Sequence, residues 1–81
     1  MITVLFFAGL KETIGQGSMS VTLTDVKLSK LVEHIVSDQP SWREALTAEN
    51  IVVSVNQEIV REDILISTGD EVAFLPPVTG G

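Results

Sequence analysis

The sequence predicts an α+β fold, in which one mixed β-sheet of about five strands carries a main helix on one face. Residues 1–8 alternate or run apolar, and residues 18–24 alternate with a strict period of two. Apolar residues recur with helical spacing in residues 28–36. Strand-forming residues return in residues 51–55 and 70–75. With 81 residues, the chain is long enough for one small domain with a single core.

The first strand is predicted over residues 1–8. Its alternation directs one set of apolar side chains to the core, namely Ile2, Val4 and Phe6. The same alternation places Leu5 and Phe7 on the opposite face. Residues 10–14 predict a short helical segment, because Gly15 follows it as a helix breaker.

Residues 18–24 predict a second strand, in which Met19, Val21 and Leu23 point inward. The main helix follows, and its apolar stripe consists of Leu28, Leu31, Val32, Ile35 and Val36. Thr24 or Asp25 offers the side-chain oxygen that is expected at a helix N-cap.

A capping-box pattern at residues 41–44 predicts a second, short helix that ends near Leu46. The next strand covers residues 51–55, and its inward side chains are Ile51, Val53 and Val55. Residues 56–58 predict a turn, although the glycine typical of a tight hairpin is missing. A short strand at Ile59-Val60 follows this turn.

A polar connection over residues 61–70 leads into the last strand. Alternation in that strand directs Val72 and Phe74 to the core. It directs Ala73 and Leu75 to the opposite face.

The composition excludes several classes of function. Eleven acidic residues against five basic ones give a net charge of −6, which is unfavourable for binding nucleic acid or an anionic membrane. The chain has no cysteine, so disulfides and thiolate metal sites are excluded. No apolar run approaches the ~20 residues of a membrane span, and we expect a cytoplasmic protein.

Side-chain catalysis is poorly supported by the sequence. His34 is the only histidine, and it lies off the apolar stripe of the helix, where a solvated role is expected rather than a metal site. The carboxylate pairs at residues 62–63 and 70–71 are adjacent in sequence, and adjacent residues of a strand point to opposite faces. We therefore expect no metal and no bound cofactor.

An apolar patch is expected on the face of the sheet that lies opposite the helix. If the first and last strands are neighbours, the patch contains Leu5, Phe7, Ala73 and Leu75, and Ile59 widens it. A monomer rarely leaves such a patch open, so it predicts a surface that binds a partner. The alternative is that residues 9–17 or 61–68 cover it.

The chain divides into a domain over residues 1–75 and a tail over residues 76–81, which reads Pro76, Pro77, Val78, Thr79, Gly80 and Gly81. Proline ends the strand because it lacks the N–H that a ladder requires. Six extended residues reach on the order of 20 Å, so the tail can carry the terminal carboxylate into a channel of another protein. The alternative is a chain end without a role.

At this point the whole chain resembles the small subunits of molybdopterin synthase, which are sulfur carriers with the ubiquitin-like β-grasp fold. The supporting stretches are Val-Leu-Phe-Phe-Ala at residues 4–8, Lys11-Glu12 with Gly15, and Val53 with Val-Asn-Gln at residues 55–57. The most specific stretch is Gly-Asp-Glu-Val-Ala-Phe-Leu-Pro-Pro-Val-Thr-Gly-Gly at residues 69–81. One departure is Lys11, where the family often has an arginine, at a position that can contact the large subunit. Lysine keeps the charge but loses the bidentate geometry.

The resemblance implies a function. An ATP-using enzyme adenylates the carboxylate of Gly81, and sulfur then replaces the adenylate to give a thiocarboxylate. The large subunit of a heterotetrameric synthase takes the tail into its active site and transfers the sulfur to cyclic pyranopterin monophosphate. On this interpretation the chain is a non-catalytic subunit, and the catalytic residues lie on the large subunit.

Three other functions remain open from the sequence. The first is a sulfur carrier of another pathway, such as thiamine biosynthesis, although the tails of those carriers usually lack Pro-Pro-Val-Thr before the glycines. The second is a ubiquitin-like modifier, whose terminal glycine forms isopeptide bonds with lysines. The third is an interaction domain with an inert tail.

Overall fold

The computed structural model describes residues 1–76 of the chain, and the tail predictions for residues 77–81 lie outside the described residues. The strands are β1 (Ile2–Phe6), β2 (Ser18–Val21), β3 (Val26–Lys27), β4 (Val52–Val55), β5 (Glu58–Val60), β6 (Leu65–Ile66) and β7 (Glu71–Leu75). The helices are α1 (Ala8–Ile14), α2 (Leu28–Asp38) and α3 (Arg43–Leu46), and a single 3₁₀ turn (Pro40–Trp42) precedes α3.

Five of these strands form one mixed sheet in the order β2-β1-β7-β4-β5. The first and last strands, β1 and β7, pair in parallel, and all other neighbours in the sheet are antiparallel. The main helix α2 packs its apolar stripe on one face. The predicted α+β class and the predicted sheet with one main helix are therefore confirmed.

The core lies between α2 and the inner face of the sheet. The inward residues of β1 are at most 1% exposed, as the alternation predicted, and Val72 and Phe74 of β7 are fully buried. The Phe6 ring stacks on Phe74 at a centroid distance of 5.9 Å, and its edge packs against Trp42 at 5.8 Å. Aromatic pairs in these geometries stabilise beyond the area that they bury.

A second, two-stranded sheet was missing from the sequence prediction. Residues 18–24 do not form one strand, because β2 ends at Val21, although Leu23 still packs against the core. The chain then forms β3, which pairs antiparallel with β6. The polar connection thus contains a strand, and its Ile66 is fully buried.

The start of α2 differs from the predicted cap. Neither Thr24 nor Asp25 caps the helix, since α2 begins at Leu28 and its N-cap position, Lys27, makes no side-chain hydrogen bond. The carboxylate of Asp63 accepts hydrogen bonds from the Ser29 N–H and the Ser29 hydroxyl, both at 2.7 Å. Both bonds lower the pKa of Asp63, and the bond from the hydroxyl has the larger effect. A carboxylate at this end also complements the helix dipole.

The predicted second helix is present, but its predicted cap is not. Pro40 starts the 3₁₀ turn, and α3 continues from it to Leu46 without a side-chain cap. Proline is preorganised for a first helical position, so it replaces the hydroxyl of Ser41 as the start signal. Trp42 and Leu46 anchor this segment in the core.

Residues 56–57 form a tight two-residue turn between β4 and β5, although neither is glycine. Both have positive φ, 51° at Asn56 and 69° at Gln57, which is the geometry of a type I′ turn. Asn56 is fixed by its side chain, which accepts from the Glu71 N–H at 3.0 Å and donates to Asp70 at 3.1 Å. Asparagine tolerates this backbone region, whereas glutamine is strained in it.

The strain at Gln57 predicts that Gln57→Gly stabilises the protein. Glycine adopts φ near 69° without a steric cost, but it loses more conformational entropy on folding than glutamine does. We expect the two effects to leave a net gain of about 0.5 kcal/mol in the free energy of unfolding. Urea denaturation of the two proteins measures the difference. Asn56→Gly is the contrast, because it removes the side-chain bonds to β7 and should destabilise. A loss of stability in Gln57→Gly would show that the turn is not strained.

The Asp63 cap predicts a specific dependence of stability on pH. The pKa of Asp63 is lowered by folding, so its contribution is fully present above the unfolded pKa of about 3.9 and is lost as the pH falls through the folded pKa. Asp63→Asn should therefore reduce stability near pH 7 more than at about pH 2. Glu62→Gln is the matched control, with little effect expected at either pH. An equal loss for Asp63→Asn at both pH values would contradict a role for the charge.

Candidate functional site

The face of the sheet opposite α2 carries a continuous row of side chains. The pairing registers place Leu5 beside Ala73, Ala73 beside Ser54, and Ser54 beside Ile59. On the next register the Leu75 side chain lies beside Val52. We call this surface the outer face, and it consists of Leu5, Phe7, Val52, Ser54, Ile59, Ala73 and Leu75.

The two ends of the outer face are the most accessible. Ile59 is 63% exposed and Phe7 is 44% exposed, whereas Leu5 and Leu75 are half-buried. Ala73 points to the outer face as predicted, but it is only 5% exposed and contributes little accessible area. Ser54, beside it, is 8% exposed. The larger neighbouring side chains shield these two small residues, so the middle of the outer face has little accessible area.

The two segments that could cover the outer face, residues 9–17 and 61–68, pack on the other side of the sheet. Leu10 and Ile14 of α1 contact the core cluster, as do Ile64 and Ile66 of the later connection. Both segments therefore lie with α2. The large apolar side chains at Phe7 and Ile59 remain exposed.

The outer face continues to the end of β7, the central strand of the sheet. Phe7 extends the pairing by one residue, since its N–H donates to the carbonyl of Phe74 at 3.2 Å. Leu75 pairs with Val52 on the other side. Pro76 follows and is half-buried. The segment that leads to the terminal glycines is thus held on both sides up to its first proline.

Lys11, the remaining predicted contact residue, lies on α1 and is not part of the sheet face. Its side chain is exposed and passes over Gly17, where an added Cβ would lie 3.2 Å from Lys11 Cε. Within residues 1–76 its ammonium group makes no ion pair. It is available for a partner, but the structure does not join it to the outer face.

Reactive side chains are not gathered anywhere in residues 1–76. His34 is exposed on α2, and no group of three or more His, Cys, Asp or Glu residues in this part of the chain could hold a metal ion. Asp63 and Asp70 serve hydrogen bonds of the fold. None of the helices described here has the length and apolar character needed to cross a bilayer.

Val52 and Ser54 are the outer-face residues that the sequence interpretation did not name. The signal was present, because Ile51, Val53 and Val55 were assigned inward, and alternation then directs the two residues between them outward. What the sequence lacked was the register that places Ser54 beside Ala73.

Comparison with known sequences gives full-length matches. The sequence model of the ThiS family matches residues 4–81. The chain is 40% identical to the molybdopterin synthase sulfur carrier subunit of Escherichia coli, and the match covers 100% of both chains. It is 35% identical to the subunit of the same name from Haemophilus influenzae, again over 100% of both. The counterpart from Dictyostelium discoideum is 36% identical, with 96% of this chain and 93% of that one covered.

Solved structures share the fold. SAMP1 from Haloferax volcanii superposes with a TM-score of 0.84 at 25% identity, covering 99% of this chain and 98% of that one. A chain in the complex of subunits 1 and 2 of molybdopterin-converting factor from Helicobacter pylori gives a TM-score of 0.69 at 21% identity, covering 99% and 97%. At this lower identity the likeness concerns the fold alone.

Proposed function

The chain belongs to the ThiS family, and we propose that it acts as the sulfur carrier subunit of a molybdopterin synthase. The named relatives that match it from end to end are such subunits. The match with these relatives extends through Gly80-Gly81, and we take the carboxylate of Gly81 as the group that a carrier of this kind uses.

One observation of the structure carries the proposal. The strand that leads into the terminal glycines, β7, is the central strand of the sheet and borders the outer face. A partner that covers Phe7 and Leu75 therefore lies beside Pro76, where the tail begins. Docking of the body and delivery of the terminus are then one event, which lowers the entropic cost of placing the terminus in an active site.

The chemistry takes place at the main-chain carboxylate of Gly81. A carboxylate is a poor electrophile, so an ATP-dependent enzyme first forms the acyl-adenylate and releases pyrophosphate. A sulfide-level donor then displaces AMP, which carries away one carboxylate oxygen, and a thiocarboxylate results. Two glycines without Cβ atoms suit a narrow channel.

The partner that we propose for the outer face is the large synthase subunit, on which the thiocarboxylate gives its sulfur to cyclic pyranopterin monophosphate. The exposed side chains of Ile59 and Phe7 supply apolar contact area, and Lys11 supplies a cation on the neighbouring helix α1. Water completes the cycle by restoring the carboxylate. No cofactor needs to be bound by this chain itself, since ATP is bound by the activating enzyme.

Two other outcomes of tail activation are distinguished by mass. Incubation with the activating enzyme, ATP and a sulfur donor should raise the intact mass by the exchange of one oxygen for sulfur. A modifier would instead give a ladder of conjugates. A carrier of thiamine biosynthesis would gain the same sulfur, but a molybdopterin synthase large subunit would not discharge it.

Removal of Gly81, or addition of one residue after it, should abolish sulfur transfer. Each change displaces the reactive carboxylate by about 3.5 Å, which is enough to lose the near-attack geometry. The measurement is the yield of molybdopterin in a reconstituted synthase. The described core consists of residues before Pro76, so the melting temperature should stay unchanged. Full activity in either variant would refute the proposed role of the terminus.

Phe7→Asp should weaken binding of the large subunit by roughly tenfold or more, because it buries a charge in an apolar interface. Titration calorimetry with the purified large subunit measures the dissociation constant. Leu65→Asp is the matched control: Leu65 is 53% exposed but lies on β6, away from the outer face. Equal affinities of the two variants would show that the outer face is not the docking surface.

A further inference from the structure

A second surface feature lies at the root of the tail, on the side away from the outer face. It is a groove of about 460 Å³ between α1 and α3. Small residues, Gly9, Ala45 and Ala48, leave the space open. Leu10 and Pro76 supply apolar walls. A Cβ added at Gly9 would meet no atom within 4 Å, so the space beside Gly9 is open.

The lining of the groove is mainly apolar, with the hydroxyls of Thr13 and Ser41 and one acidic side chain. Glu44, in the first turn of α3, lines it with an exposed carboxylate. This carboxylate makes no ion pair or hydrogen bond with any residue of the described range 1–76. The neighbouring Arg43 is already paired with Glu33 through two contacts of 3.3 Å. The acidic edge of the groove is therefore open to an external cation.

We infer that this groove receives a basic side chain, arginine or lysine, of the large synthase subunit. Such side chains combine an apolar stem, which fits the walls at Leu10 and Pro76, with a charged head that can reach Glu44. The net charge of −6 favours a basic partner surface in general. The inference rests on the proposed function, because it takes the large subunit as the protein that receives the tail.

The position of the groove supports the choice of partner. Pro76 belongs to its wall and Leu75 belongs to the outer face, so the two surfaces meet at the residues where the tail begins. A protein that holds the terminal residues must approach this end of the molecule. A large subunit that binds both the outer face and the groove would contact Leu75 and Pro76 from two sides. These contacts would fix the direction in which the terminus enters the partner.

Two variants with unrelated chemistry test the groove. Glu44→Lys reverses the charge, and Ala48→Leu fills the space with an apolar side chain at an exposed position. We expect each to raise the dissociation constant of the full chain for the large subunit about tenfold. Glu44→Gln should raise it about threefold and should reduce its dependence on salt. The control is Asp38→Asn at the exposed end of α2, which changes the net charge as Glu44→Gln does and should bind like the wild type.

Titration calorimetry gives the dissociation constants, and thermal unfolding confirms that each variant is folded. We expect Glu44→Lys and Ala48→Leu each to bind the large subunit more weakly, and Asp38→Asn to bind it with unchanged affinity. If either of the first two binds within about twofold of the wild type, no basic side chain fills the groove. In that case a loss of binding in Phe7→Asp would leave the proposed function intact. A wild-type chain that does not bind the large subunit at all would overturn both proposals. Self-association of the chain that either variant abolishes would identify a second copy as the occupant instead and overturn the inference.

Discussion

The parallel pairing of β1 with β7 is the constraint on which the rest of the structure depends. It joins the two ends of the described chain, with Val4 beside Val72 and Phe6 beside Phe74. A parallel pair cannot be joined by a tight turn, so the chain must cross one face of the sheet between the two strands. The helix α2 occupies that crossover. Its burial against Phe6 and Phe74 gives the pairing its hydrophobic stabilisation.

This arrangement gives the two faces of the sheet different uses. The inner face is filled by α2 and by the segments that precede and follow it, so its large apolar side chains are removed from water. The outer face has small residues in the middle, Ala73 and Ser54, and large apolar ones toward its ends. A sheet that is stable through one face alone leaves the other free for a partner. The central position of β7 then connects this free face directly to the tail.

Polar side chains hold the connections in place across long distances in sequence. Asp63 caps α2 from the later connection, and Asn56 ties the β4–β5 turn to the start of β7. Ser67 donates to Asp25, and the Thr68 N–H donates to Thr24. The residues that the sequence marked as a helix cap thus bind a loop instead. Asp70 accepts hydrogen bonds from the Ser67 N–H and from the Asn56 side chain. Both bonds lower the pKa of Asp70, and the bond from Ser67 has the larger effect.

The sequence by itself determined the fold class, the core faces of β1, α2 and β7, and the outward direction of Leu5, Phe7 and Leu75, because periodicity is a local property of the chain. It also contained the family-specific ending. Only the tertiary structure decided what depends on neighbours distant in sequence. Examples are the β3–β6 pair, the cap supplied by Asp63, the tight turn at Asn56 that hydrogen bonds to β7 support, and the shielding of Ala73. The groove beside Pro76 exists for the same reason, since α1 and α3 meet only in three dimensions.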